Sequence, residues 1–261
     1  MLLCTLLEFG IVGLWLQKTN DKPNTETRSL LTAPKQEITL DDLRNKRIIW
    51  SKPYPERSDI DHKSLLEAND MYVGWLSFHF NPPADDTDVD LEIPIVFETE
   101  PDYYLKHDFY NNPDKNGTVF MDFQSIPLLC GYNDFLYAHH ASDGTLFGTL
   151  HRIYQFGNTA WFLTHPQYMY IYTDTACHKY VLVGYEQVDD SNDHFAYTTC
   201  ETEDMYWEQV DYIKNLEHYI PSEEIDWQTK PSILNFSTCD GESGTAKRFV
   251  VHFVKINAYA Q

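Results

Sequence analysis

Basic residues are scarce in this chain. Lys and Arg number 19 against 40 Asp and Glu, a formal net charge of −21. So acidic a chain is repelled by a phosphate backbone, which argues against general nucleic-acid binding and leaves basic or neutral partners. Glycine is sparse too, 11 in 261 residues with no fixed period, so collagen-like and repeat architectures are excluded. The five cysteines, Cys4, Cys130, Cys177, Cys200 and Cys239, form no Cys-x-x-Cys pair. That spacing offers neither a zinc ribbon nor a dense disulfide framework. What is present is core material: 43% apolar residues, 15% aromatic, with 18 Tyr and 15 Phe. Wholesale disorder is therefore excluded. The length suits one large domain or two small ones.

Residues 1–16, MLLCTLLEFGIVGLWL, carry Glu8 as their one charge. The run is slightly shorter than a full membrane span, and it lacks a basic leader region and a small-residue cleavage site. Three readings compete: an uncleaved anchor, a cleaved signal and a buried amphipathic helix. The polar, proline-bearing stretch after it reads as a tether and favours the anchor. The expected organisation is an anchor over 1–17, a tether and extension over 18–57, and one folded domain over 58–261.

Within that domain SDIDHKSLLEAND (58–70) suits a short helix capped by Ser58 or Asp59. Aromatic and β-branched runs follow at 71–80, 92–99, 117–123, 134–140, 159–164, 168–174, 179–188, 232–239 and 248–256, each bounded by Pro, Gly, Asn or Asp. That spacing predicts strands of one β-sandwich or barrel. One segment departs from it: Thr202–Tyr219 spaces Met205, Trp207, Val210, Ile213 and Leu216 as an amphipathic helix ending before Pro221. Asp86, Asp88 and Asp90 alternate as in a calcium loop, but Leu91 and Phe97 stand where the loop needs Gly and Glu. A solvated acidic loop is the reading there.

Chemistry gathers near the C-terminus. Cys239 closes the strand SILNFSTC, and Arg248 opens the next one, RFVVHFVKI. A hairpin holds them side by side, where a guanidinium lowers a thiol's pKa and steadies an oxyanion. His139 and His140 close FLYAHH, and a Cys and a His from two strand ends make a nucleophile–base pair. From spacing alone the plainer alternative stands beside this one, a Cys buried as a small hydrophobe and an Arg as surface charge.

At these residues the chain resembles the class B sortases, cysteine transpeptidases of Gram-positive cell surfaces. LNFSTC with a downstream RFVV is similar to the family's Thr-Leu-x-Thr-Cys strand and its Arg-bearing final strand. LYAHHASDGTLFGTL (136–150) is similar to its Tyr-Gly-His segment with the following Asp-Gly-Thr-Met-Phe. NDMYVGWLSF (69–78) and IPIVFETEPDYYLKHDFYNNPDKNGTVFMDF (93–123) match earlier family segments in the family's order. The helix over 202–219 matches the long helix that class B members insert before the Cys strand.

The resemblance implies a mainly β fold with added helices: an eight-stranded mixed β-barrel with an N-terminal helix and a long helix before the Cys-bearing strand. It implies Cys239 as nucleophile, Arg248 as the supporting cation and His139 as acid and base. His139 follows Ala138, where the family has Gly; His140 is the fallback. Thr238 and Ser237 are implied as substrate-binding residues, while Asn235 and Phe236 replace the usual Thr-Leu and alter the groove floor. No metal and no organic cofactor is implied. The expected reaction is cleavage of a C-terminal sorting signal after Thr through a Cys239 acyl-enzyme. The acyl group passes to an amine of the peptidoglycan cross-bridge or of a pilin. The implied location is the outer face of the cell membrane, through a single-pass N-terminal anchor. A hydrolytic cysteine peptidase uses the same three residues with water as acceptor, and a catalytically inactive sortase-like surface protein is the non-enzyme alternative.

Overall fold

The structure, a computed structural model, describes residues 57–189, 200, 202–239 and 247–260. Helix α1 (His62–Ala68) precedes strands β1 (Tyr72–Phe80), β2 (Val89–Phe97), β3 (Phe120–Met121) and β4 (Asn133–Tyr137). Two short helices follow, α2 (Arg152–Phe156) and α3 (Thr159–Thr164), then β5 (Tyr168–Tyr172) and β6 (Ala176–Asp189). Helix α4 (Glu203–Lys214), β7 (His218–Tyr219), β8 (Ile233–Cys239) and β9 (Lys247–Ala260) complete the chain.

The strands run in the order β5-β1-β2-β3-β4-β8-β9-β6, and β5 also pairs β6. That pairing closes an eight-stranded barrel and leaves β7 as a short addition on β6. The β2–β3 and β4–β8 pairs are parallel and the others antiparallel, so the barrel is mixed, as the resemblance implied. Its interior is filled by aromatic side chains, which bury large apolar areas each. The Phe236 ring lies 4.7 Å from Phe253, 5.0 Å from Phe147 and 6.4 Å from Phe78, all four fully buried.

Helix α4 covers a second apolar layer outside the barrel. Its Tyr206, Val210 and Ile213 are buried with Val181, Val183, Ile233 and Val254 of the sheet. Thr202 caps it through the Met205 N–H, as the sequence pattern suggests, but it ends at Lys214 so that His218–Tyr219 can join β6. Helix α1 is capped by Asp61, whose carboxylate accepts from the Ser64 N–H, and not by Ser58 or Asp59.

Two strand expectations need correction. TAWFLT (159–164) is a helix, because the Asn158 side chain caps Trp161 N–H and Phe162 stacks flat on Phe80 at 5.5 Å. Capping and packing there override the β-propensity of the aromatic residues. The run at 117–123 keeps only Phe120 and Met121 as strand, since the Asp122 carboxylate turns back to the Gln124 N–H. The acidic run is also shorter than expected, as β2 begins at Val89 and takes in Asp90.

The single-pass N-terminal anchor expected over 1–17 is not supported, and neither is the membrane location drawn from it. Among the described residues no helix is long and apolar enough to cross a membrane. Residues 1–56, which hold that run and nearly all of the tether, lie outside the described residues.

Candidate active site

Cys239 and Arg248 are direct partners across the β8–β9 ladder, at its open end. Side chains alternate along a strand, and cross-strand partners share a face. Both residues are half-buried. Their cohesion at one sheet end comes from the ladder itself, which runs unbroken from Ile233↔Val254 to Cys239↔Arg248.

The two histidines sit where the β4–β8 ladder ends. Tyr137 pairs Ser237 in parallel, and the Ala138 N–H still reaches the Ser237 carbonyl at 3.4 Å. Ala138, standing where the family has Gly, is not among the described residues with positive φ. Alanine therefore carries no strain there. His140 Nδ1 lies 3.1 Å from the Cys239 carbonyl, and its ring packs 4.7 Å from His151. His139 Nε2 lies 2.9 Å from the Leu105 carbonyl. The ring that hydrogen-bonds the Cys239 residue is thus that of His140, and His139 is fastened to the 103–107 segment.

A carbonyl oxygen only accepts, so each contacting nitrogen bears a proton. His139 keeps Nδ1 for proton exchange, and His140 keeps Nε2. Gly117 makes the His139 contact possible. Its φ is +64°, and a Cβ there would meet the Tyr104 carbonyl at 2.2 Å. Only glycine lets this strand approach close enough for Thr118 N–H to bond Tyr104 at 3.0 Å and hold Leu105 in place.

Ser237 and Thr238 divide between the two faces. Ser237 shares the Cys239 face and is 1% exposed, with a hydroxyl that has no hydrogen-bond partner. Thr238 pairs Phe249 and is buried on the opposite face, among core residues. Its side chain is therefore turned away from Cys239.

Sequence reasoning passed over an acidic pair beside this face. Glu98 follows β2 and Asp122 follows β3; both are buried. Burial, and then the neighbouring Asp122, push the Glu98 carboxyl up to about 8, and burial raises Asp122 as well. Tyr137 is pushed up by burial, with Asp122 and Glu98 adding and Arg248 opposing. Both fall inside the family-like segment 93–123, but nothing there marks them as a pair; they meet because β2, β3 and β4 are neighbours in the barrel. Among the described residues no group of three or more His, Cys, Asp or Glu is arranged to hold a metal ion.

A closed mixed barrel with a thiol and a guanidinium opposed at one strand end, and histidines beside them, defines a sortase-type cysteine enzyme. No family model matches the chain. Sortase B of Listeria monocytogenes is 24% identical over 186 residues, 71% of this chain and 69% of that protein. Sortase B of Staphylococcus aureus is 26% identical over 191 residues, 72% of each. The structure of the Staphylococcus aureus sortase B–substrate complex superposes with a TM-score of 0.59 at 22% identity, over 75% of this chain and 84% of that one. A sortase B structure complexed with triglycine gives 0.58 at 23% identity, over 75% and 85%. The chain is thus similar in sequence to two class B sortases and shares the sortase B fold.

Proposed function

We propose that this sortase-family enzyme cleaves a C-terminal sorting signal of the Asn-Pro-x-Thr or Leu-Pro-x-Thr type after Thr and transfers the new carboxyl end to an amine. The observation that carries the reading is the direct pairing of Cys239 with Arg248 at the end of β8 and β9. In the first half-reaction Cys239 passes its thiol proton to His139 Nδ1, the sulfur attacks the Thr carbonyl and the C–N bond breaks. His139 gives that proton to the departing amine, leaving a thioester. In the second half His139 takes a proton from an incoming amine, the amide forms as the C–S bond breaks, and the proton returns to the departing sulfur to restore the thiol. Arg248 steadies the substrate and the oxyanion.

The assignment of His139 is supported by the parallel β4–β8 register. Two residues beyond Tyr137↔Ser237, the last pair of that ladder, a continued alternation would set His139 level with Cys239 and on its face. His140 then serves the Cys239 main chain through its carbonyl. The unpartnered Ser237 hydroxyl on that face is a donor for the signal's backbone. The Thr238 side chain, buried on the core face, contributes through its backbone. A substrate bound in one sortase B structure and triglycine bound in a second structure support a peptide donor and an amine acceptor. The partners would be surface proteins bearing such a signal and an amine of the peptidoglycan cross-bridge or a pilin.

Incubating the protein with a labelled Asn-Pro-x-Thr peptide, with and without triglycine, tests the reading. A ligated product that appears only with triglycine is expected. Cleavage that ignores triglycine would instead make the enzyme a hydrolytic peptidase.

A further inference from the structure

Four residues along the ladder from Cys239↔Arg248, the same outer face carries a buried polar chain. Asn235 pairs His252 across β8 and β9. Asn133, Asn235 and His252 are each at most 2% exposed. His252 Nδ1 lies 2.7 Å from Asn235 Oδ1, and Nε2 lies 3.1 Å from Glu186 Oε1. The Asn235 amide nitrogen donates to Asn133 Oδ1 at 2.7 Å and to the Asp134 carbonyl at 3.0 Å. From helix α4, the Tyr212 hydroxyl donates to Glu186 Oε2 at 2.5 Å.

These contacts determine where the protons are. The Asp134 carbonyl only accepts, so the Asn235 amide nitrogen faces it and Oδ1 faces the ring. Nδ1 of His252 therefore bears a proton. Nε2 faces the Glu186 carboxylate, so the ring meets an acceptor at each nitrogen. Glu186 from β6 and Tyr212 from α4 are the titratable partners in this chain; β8 and β4 contribute the uncharged Asn235 and Asn133. Burial, and then the bond to Glu186, raise the Tyr212 phenol, so it stays a donor.

The location gives these contacts a task. The β6–β9 ladder is irregular between Leu182 and Gly184, at His252 itself. That bulge offers alternative registers of β6 on β9, and on the regular β8 side a one-residue slip against β9 would turn Cys239 to the core face. Apolar neighbours discriminate weakly between registers, whereas a buried polar group with directional partners is satisfied in one only. We propose that His252, held between Asn235 and Glu186 as a donor from both ring nitrogens, is a positioning residue, a register key that locks β6, β8, β9 and helix α4 into the alignment that sets Cys239 opposite Arg248. Its consequence for catalysis rests on the reading of Cys239 as nucleophile.

The test uses the full chain. Nitrogen-15 NMR of the histidine rings, with His252 assigned by difference against His252→Gln, should find both His252 nitrogens protonated at pH 7. Glu186→Gln keeps an acceptor for the ring and removes the charge. Peptide cleavage by that variant at pH 6 should stay within about twofold of wild type, while its alkaline limb moves down by about one pH unit. Hydrogen exchange across Ile233–Cys239 should rise at the same lowered pH. A part that only adds stability would leave the limb in place. A neutral His252 ring at pH 7, or superimposable limbs and exchange profiles, would overturn the proposal. If Glu186→Gln does not fold, the wild-type ring spectrum and its exchange profile against pH still decide. If wild type cleaves no sorting peptide, the functional reading fails alone, since the NMR and exchange readouts need no substrate.

Discussion

The two faces of β8 are made of different matter. Inward, Leu234 and Phe236 join the barrel's apolar cluster, and Thr238 is buried beside them. Outward, Asn235, Ser237 and Cys239 alternate with them: Asn235 meets the His252 ring, Cys239 pairs Arg248, and the Ser237 hydroxyl is buried without a hydrogen-bond partner. The inner face is held by buried hydrophobic area and tolerates volume-conserving exchange. The outer face relies on directional contacts, where one lost atom leaves a buried partner unsatisfied. Position therefore comes from one side of the strand and chemistry from the other, and substitutions on the two faces should fail in different ways.

The largest effect is expected at the outer tip. Cys239→Ala should keep its fold and lose peptide cleavage entirely, while Cys130→Ala, Cys177→Ala and Cys200→Ala retain turnover; parallel melting and cleavage assays check this. On the inner face, Phe236→Ala should cost about 3–5 kcal/mol of stability. Denaturant titration measures it, and whatever folded fraction remains should still turn over.

The histidines sharpen the comparison at the strand end. His139→Ala should lower kcat by about 10²–10⁴-fold with little change in melting temperature. His140→Ala, which frees only the Cys239 carbonyl, should cost about 1 kcal/mol of stability and less than about tenfold in kcat. The reverse order would move the acid–base role to His140.

A smaller effect belongs to Glu98. Its carboxyl titrates near 8 in the folded protein against 4.5 ordinarily. Below the lower value both states hold the proton. As pH rises toward 8 the unfolded chain releases it first, so stability falls across that window. Glu98→Gln should flatten this decline by an amount on the order of 1 kcal/mol or more at pH 8, seen as converging melting curves at low pH. The smallest change is expected for Ser237→Ala, a rise in KM of about tenfold or less with kcat nearly kept.

The regular strands were legible because alternation and turn residues are local. β1, β5, β6, β8 and β9 fall within a few residues of the apolar runs. TAWFLT was misleading since a cap at Asn158 and a stack on Phe80 are invisible to a strand pattern. At the site, Cys239, Arg248 and the histidines carry motif signatures. Glu98 and Asp122 lie in the family-like segment 93–123 without being singled out there, and Glu186 and His252 lie outside the family-like motifs. Glu186 and His252 stand 66 residues apart in sequence, and only barrel closure brings such residues together.

The central claim is that Cys239 carries the acyl group. Intact-mass spectrometry and peptide mapping of the protein quenched in acid during turnover of an Asn-Pro-x-Thr peptide test it most directly. The account predicts an adduct on Cys239 with the mass of the peptide fragment ending in Thr, removed on adding triglycine. An adduct on another residue, or cleavage by Cys239→Ala, would contradict it.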